Sequence, residues 1–271
     1  MLKTRIITAV VLLLVFSLGL AFSSIDVFAL GLSVIVAAGA WEWGRMSGLI
    51  HEDAQTGYAA LVGVVALIAL YLPYSESWIQ WLMLAGMLFW LSVPALFYLS
   101  PRQPAIVSPN SALLGIGFLM LAVAAVAIQY LRSFAPEASS WLLLYALSIV
   151  WFMDIGAYFS GRRFGQRKLA PSISPGKTWE GVYGGLVVTG VLWLVVMLAA
   201  DFAEGNRFKL LVATLLAAMM SVLGDLYESR IKRAADIKDS SQLLPGHGGV
   251  LDRLDGVLGA LPVFAFVWAW L

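Results

Sequence analysis

Apolar residues run along this chain in long blocks, and polar residues gather in the short breaks between them. A membrane-crossing helix needs about 20 mostly apolar residues. Nine blocks approach or reach that length, near residues 5–22, 26–44, 57–73, 78–99, 111–131, 140–161, 182–202, 208–228 and 250–271. The third is the shortest. The pattern predicts an all-α fold, a polytopic bundle of about nine transmembrane helices. No repeat or low-complexity linker divides it, so residues 1–271 read as one membrane domain. Within it, residues 1–135 suit dimerisation or lipid contact, and residues 140–271 carry the unusual polar residues.

Composition agrees with the blocks. Apolar residues make up 61% of the 271 positions and charged residues 12%, against roughly 45–50% and about 25% in soluble domains. The 11 Trp suit interfacial anchoring. The chain has no Cys, which excludes disulfides, thiolate metal sites and a thiol nucleophile. The two His, His51 and His247, stand too far apart for a local metal motif. Lys3 and Arg5 precede the first block as they would in a signal peptide, but no small-x-small cleavage site follows, so it reads as a retained span.

Charge placement sets the expected orientation. With the N-terminus inside, the inner segments hold Lys3, Arg5, Arg45, Arg102, Arg162, Arg163, Arg167, Lys168, Lys177, Arg230, Lys232, Arg233, Lys238 and Arg253. The outer segments hold only Arg132, Arg207 and Lys209. This positive-inside bias of 14 to 3 supports nine spans and places the C-terminus outside.

Candidate chemistry clusters on the inner side. Asp154 lies in an apolar block with Tyr158 four residues on, on the same helical face. An intramembrane acid is functional by default, although a structural hydrogen bond or ion pair would also keep it. Ser174-Pro175-Gly176-Lys177-Thr178 resembles a phosphate-gripping turn without the Walker A spacing, and ordinary positive-inside charge is its plainer reading. Asp225, Glu228 and Ser229 share one helical face, and Asp252 and Asp255 are again three residues apart. Four carboxylates that converge there would suit a hard cation, Mg²⁺ first, and acids also favour a first helical turn on their own account. Between the pairs lie Lys232, Arg233, Lys238 and a run of Gly246, His247, Gly248 and Gly249, a composition that favours anions. His247 would donate to a phosphate or act as acid or base, or be structural. Together these parts suit phosphoryl or nucleotidyl transfer.

From Ser229 to Asp255 the chain reads S-R-I-K-R-A-A-D-I-K-D-S-S-Q-L-L-P-G-H-G-G-V-L-D-R-L-D. Every specified position of the phosphatidate cytidylyltransferase (CDP-diacylglycerol synthase) signature is present, so the chain resembles that family. The likeness continues in Asp154 to Gly165, in Ser174 to Gly181 and in G-D-L-x-E-S, while the N-terminal half matches only in hydropathy. Gly176 departs from the pattern, since many relatives carry a Lys there, which leaves Lys177 as the phosphate ligand.

The resemblance implies that CTP and phosphatidic acid give CDP-diacylglycerol and pyrophosphate. It implies Mg²⁺, with a second ion such as K⁺, and a homodimer in a bacterial inner membrane with the active site facing the cytoplasm. Membrane lipids are the surrounding partners, and no nucleic acid is expected. Asp225 and Asp252 match the family's metal-binding acids, with Glu228 and Asp255 expected to help orient the metal. Lys232, Arg233, Lys238 and His247 match its conserved polar set, and Arg253 is expected to grip the lipid phosphate. Asp154, Tyr158, Ser174, Lys177, Thr178, Ser229, Asp239, Gly248 and Gly249 are expected to bind substrate. A cytidylyltransferase for another lipid phosphate is the near alternative. A cation- or proton-coupled transporter would explain the membrane acids but not the Lys, Arg and Gly loop.

Overall fold

The computed structural model describes residues 2–72, 76–99, 104–133, 139–199 and 205–271. Arg102 lies outside them, as do the side chains of Lys3 and Arg5. Among the described residues the chain is nearly all helix: α1 (Leu2–Phe22), α2 (Ile25–Met46), α3 (Glu52–Tyr71), α4 (Glu76–Leu99), α5 (Ser111–Ser133), α6 (Ser139–Phe164), α7 (Trp179–Ala199), α8 (Arg207–Ala234) and α9 (Leu251–Trp270). The described residues also form an antiparallel hairpin, β1 (Lys168–Ala170) and β2 (Ser174–Thr178), with Lys168 opposite Thr178 and Ala170 opposite Ser174.

The nine helices follow the nine apolar blocks. Eight of them, α2 to α9, are long and apolar enough to cross a membrane. In hydrocarbon every backbone polar group needs a partner within the protein, and a helix supplies one to each. The chain is an integral membrane protein. The boundaries differ from the blocks in two informative places. α3 begins at Glu52, because Glu52 and Asp53 favour a first helical turn. α8 continues to Ala234, so Ser229 to Arg233 stand on a helix and only the stretch after it is a loop. Lys232 and Arg233 fall in its last turn, where cations suit the helix dipole.

The contacts form two compact units, each drawn from both halves of the chain. One comprises Met1–Tyr74, Gln103–Gln129 and Ile231–Leu254, and is called here the loop unit. The other comprises Ser75–Arg102, Tyr130–Arg230 and Asp255–Leu271, the hairpin unit.

In the loop unit, buried Trp43 of α2 donates from Nε1 to Leu113 O at 2.7 Å, and Tyr58 of α3 donates to Leu114 O at 2.7 Å. These ties fix α2 and α3 against the start of α5. Gly117 leaves room for the Trp43 indole, and Gly63 lets α3 approach Ala37 of α2.

In the hairpin unit, α6 and α7 pack through a seam of small residues. A side chain at Gly156 would strike Gly184 and Gly185, and one at Gly181 would strike Ala157 O. Without a hydrophobic drive between helices in lipid, such close backbone approach is what holds them together. Gly224 of α8 likewise lies against Asp255 O of α9, and Gly259 against Met220 O. Buried Tyr145 and Thr214 share a hydrogen bond at 2.5 Å between α6 and α8.

Candidate active site

The hairpin unit holds the first group. Thr178 ends β2 and precedes α7; its Oγ1 accepts from Gly181 N at 3.2 Å. That is an N-cap, and Thr178 is buried against Gly161 and Gly165. Its hydroxyl oxygen thus helps start the helix. Glu180, in the first turn of α7, accepts from Gln166 N at 3.0 Å, Arg167 N at 3.1 Å and Arg167 Nε at 2.9 Å. Its carboxylate, hydrogen-bonded to the exposed Arg167 guanidinium, raises that group's pKa further. Trp179 N also donates to Arg167 O at 2.9 Å. The hairpin is thus fastened at both ends, and Lys177 is delivered from a fixed strand.

Lys177 Nζ pairs with Asp225 Oδ2, and the two side chains keep 26% and 31% of their surface exposed. Asp225 Oδ1 accepts from Ser229 Oγ at 3.1 Å, as the i, i+4 spacing on α8 predicts. Glu228 on the same helix is buried. Asp255 Oδ1 accepts from Gly256 N at 2.7 Å, beside the Gly224 contact next to Asp225. On α6, Tyr158 and Asp154 are exposed, and Tyr158 accepts from Arg162 Nη1 at 3.1 Å. Ser174 is half-buried at the start of β2.

The loop unit holds the second group. Lys232 Nζ donates to Asp252 Oδ1 at 2.6 Å, and here the side chains keep only 9% and 7% exposure. Asp252 Oδ2 takes Gly249 N at 2.8 Å and Ser240 N at 2.9 Å, with Ser240 Oγ at 3.0 Å. The carboxylate thereby organises the whole loop in front of α9.

The loop itself turns at Leu244-Pro245-Gly246-His247, closed by His247 N to Leu244 O at 2.8 Å. Gly246 has φ +75°, which a type II turn with proline at its second position requires of its third. Leu244 N then donates to Gly248 O at 2.9 Å. Arg253 donates from Nε and Nη2 to His247 O at 3.2 and 2.8 Å. Among the described residues, His247 Nδ1 is buried and meets no hydrogen-bond partner. Arg233 Nη1 donates to Ile237 O at 2.9 Å, while Lys238 and Asp239 are exposed.

Each unit therefore pairs one acid with one lysine: Asp225 with Lys177, and Asp252 with Lys232. Among the described residues no three His, Asp or Glu side chains lie together as a preformed metal cage. The donors still suit Mg²⁺, which binds through one or two carboxylates and takes its other ligands from water and phosphate. Asp225 already holds a cation at a partly exposed oxygen. Asp252 Oδ2 is held by the N–H groups of Ser240 and Gly249 and shares the Ser240 hydroxyl proton with Glu42, while Oδ1 meets Lys232.

The sequence pattern did not bring out Glu42, Ser240, Ser241 or Glu180. Glu42 sits in the apolar block of α2, and the rule applied to Asp154 would have found it. It is fully buried and accepts from Val250 N at 2.8 Å, Leu251 N at 2.7 Å, Ser240 Oγ at 3.0 Å and Ser241 Oγ.

Comparison with known proteins places the whole chain in one family. Residues 3–271 match the model of the cytidylyltransferase family. A Pseudomonas aeruginosa protein named phosphatidate cytidylyltransferase is 41% identical over 270 residues, which cover 99% of this chain and 98% of that one. A Haemophilus influenzae protein of the same name is 36% identical over 284 residues, covering 99% of both. A Staphylococcus haemolyticus protein, also of that name, is 32% identical over 265 residues, 96% of each chain. With the match running nearly from end to end, the chain belongs to the cytidylyltransferase family.

Proposed function

We propose that this protein transfers CMP from CTP to phosphatidic acid, releasing pyrophosphate and leaving CDP-diacylglycerol in the membrane. Two observations support the substrates: the full-length likeness to proteins named phosphatidate cytidylyltransferase, and the complete signature from Ser229 to Asp255. The observation that carries the chemistry is the partly exposed Lys177–Asp225 pair. It presents an ammonium and a carboxylate side by side, the two groups that a metal-bound triphosphate exchanges with.

The physical problem is repulsion between two polyanions. Asp225 and Asp252 would hold Mg²⁺, with Glu228 and Asp255 supporting them. When bound, Mg²⁺ supplies charge neutralisation on the triphosphate. Lys177 then turns from Asp225 to phosphate, and Lys232, Arg233 and Lys238 neutralise the rest of the developing charge. Arg253 has the planar fork that suits a lipid phosphate. A phosphatidate oxygen attacks the α-phosphorus, a new P–O bond forms, and the bond to the β-phosphate oxygen breaks with its electron pair on pyrophosphate. The attacking oxygen is already anionic, so no strong base is required. The positive-inside bias supports a cytoplasmic site in a bacterial inner membrane. A homodimer and a second ion such as K⁺ belong to the same proposal by family likeness alone.

The test is purified protein with labelled CTP and phosphatidate, with and without Mg²⁺. Labelled CDP-diacylglycerol that forms only with the metal is the expected result. No product with phosphatidate, or full activity in chelator, overturns the reading. Retention of configuration with a chiral α-thio CTP would replace direct attack by a covalent enzyme intermediate.

A further inference from the structure

We propose that Glu42 is a positioning residue that fixes Asp252 and the signature loop through Ser240. The residue comes from α2, far along the chain from the Ser229–Asp255 signature. Yet both its oxygens are aimed at the signature. Oε1 accepts from Val250 N and Ser241 Oγ, and Oε2 accepts from Leu251 N and Ser240 Oγ. A fully buried carboxylate is tolerable only when so satisfied. It also faces the N-terminus of α9, where unpaired N–H groups and the helix dipole favour negative charge.

The link to the site is Ser240. Its Oγ stands 3.0 Å from Glu42 Oε2 and 3.0 Å from Asp252 Oδ2, so the two carboxylates share its single hydroxyl proton, and its backbone N–H also serves Asp252. Arg45, one turn beyond Glu42 on α2, donates to Ser240 O. Ser240 is thus held from α2 on one side and hands its position to Asp252 on the other. Gly249 completes the cradle, because any side chain there would collide with Ser240 Oγ and Glu42 Oε1.

A glutamine at position 42 keeps the size but turns one acceptor into a donor. The two hydroxyls can rotate away, whereas the backbone N–H of Val250 or Leu251 cannot. The loop then loses its anchor while Lys232 still faces Asp252. Because metal-supporting partners typically change affinity or activity by about 10–100-fold, Glu42→Gln should lower kcat by that order and raise the Mg²⁺ concentration for half-activation. The KM for CTP should change little, since Lys177 belongs to a different group of residues.

This inference rests on the proposed role of Asp252, so it needs a readout that does not depend on turnover. Hydrogen exchange of the full protein without nucleotide supplies it. Residues 240–251 should exchange faster in Glu42→Gln, while α6 and α7 exchange as in the parent. Ser240→Ala, which breaks the bridge and spares the Glu42 contacts to α9, should give the kinetic change with a smaller exchange change. If Glu42→Gln cannot be purified folded, Glu42→Asp, which keeps the charge and shortens the reach, should show the same loop-restricted exchange. Parental kcat in Glu42→Gln, an unaltered loop, or equal loosening of α6 and α7 would each overturn the proposal. Should the parent itself lack Mg²⁺-dependent cytidylyl transfer, the functional reading fails, and the loop exchange still decides the anchoring.

Discussion

Replacing Lys232 by Met removes one partner of a pair whose side chains are only 9% and 7% exposed. Breaking a buried pair costs about 3–5 kcal/mol, because the remaining charge is left uncompensated. Asp252 retains Ser240 N, Ser240 Oγ and Gly249 N, which places the cost at the low end, about 3 kcal/mol. The Lys177–Asp225 pair is chemically the same but 26% and 31% exposed, and a pair so wetted contributes up to about 1 kcal/mol. At about 2–4 °C per kcal/mol, Lys232→Met should lower Tm by roughly 6–12 °C and Lys177→Met by less than about 4 °C. Tryptophan fluorescence during heating in one detergent measures both, given 11 Trp as reporters. The double variant Lys232→Met/Asp252→Asn removes both charges and should recover part of the loss. Equal Tm losses in the two lysine variants would refute the burial argument. A double variant at the sum of the single losses would refute the pairing.

The other expectations are simpler. Asp225→Asn should abolish turnover with Tm near the parent, and near-parental activity across a Mg²⁺ titration would remove Asp225 from the metal site. Lys177→Ala should raise the KM for CTP more than that for phosphatidate; equal increases would count against a triphosphate contact. Thr178→Ala deletes the α7 cap and should cost about 1 kcal/mol, with Thr178→Ser largely restoring stability. An effect of Thr178→Ala confined to the KM for CTP would instead make its hydroxyl a substrate ligand.

The helices were legible because apolar block length is a direct physical demand of the bilayer, and the acid–hydroxyl spacing of Asp225 and Ser229 was legible because a helix repeats. What hydropathy could not show was the continuation of α8 to Ala234, since Arg230, Lys232 and Arg233 end the apolar block but not the helix. The capping role of Thr178 did not stand out, because capping and phosphate binding use the same residue types at the same place. Glu42 escaped because its partners lie about 200 positions away, at Ser240, Ser241, Val250 and Leu251. No local spacing encodes such a contact. The sequence carried the signature's residue types completely, but not the fact that Asp252 spends most of its acceptor capacity on its own loop.

The doubly fastened hairpin has a kinetic consequence. Glu180 clasps the chain before β1, Thr178 caps α7 after β2, and the glycine seam holds α6 to α7, so the strand that carries Lys177 is anchored at the open end of the hairpin. The moving part is then the lysine side chain alone. Rotamer changes take picoseconds to nanoseconds, whereas loop opening takes far longer. With Lys177 in its proposed phosphate-binding role, exchange of Asp225 for an incoming phosphate should be fast on the scale of turnover. Nucleotide capture at this lysine should show a single, concentration-proportional phase, with no slow isomerisation before or after it.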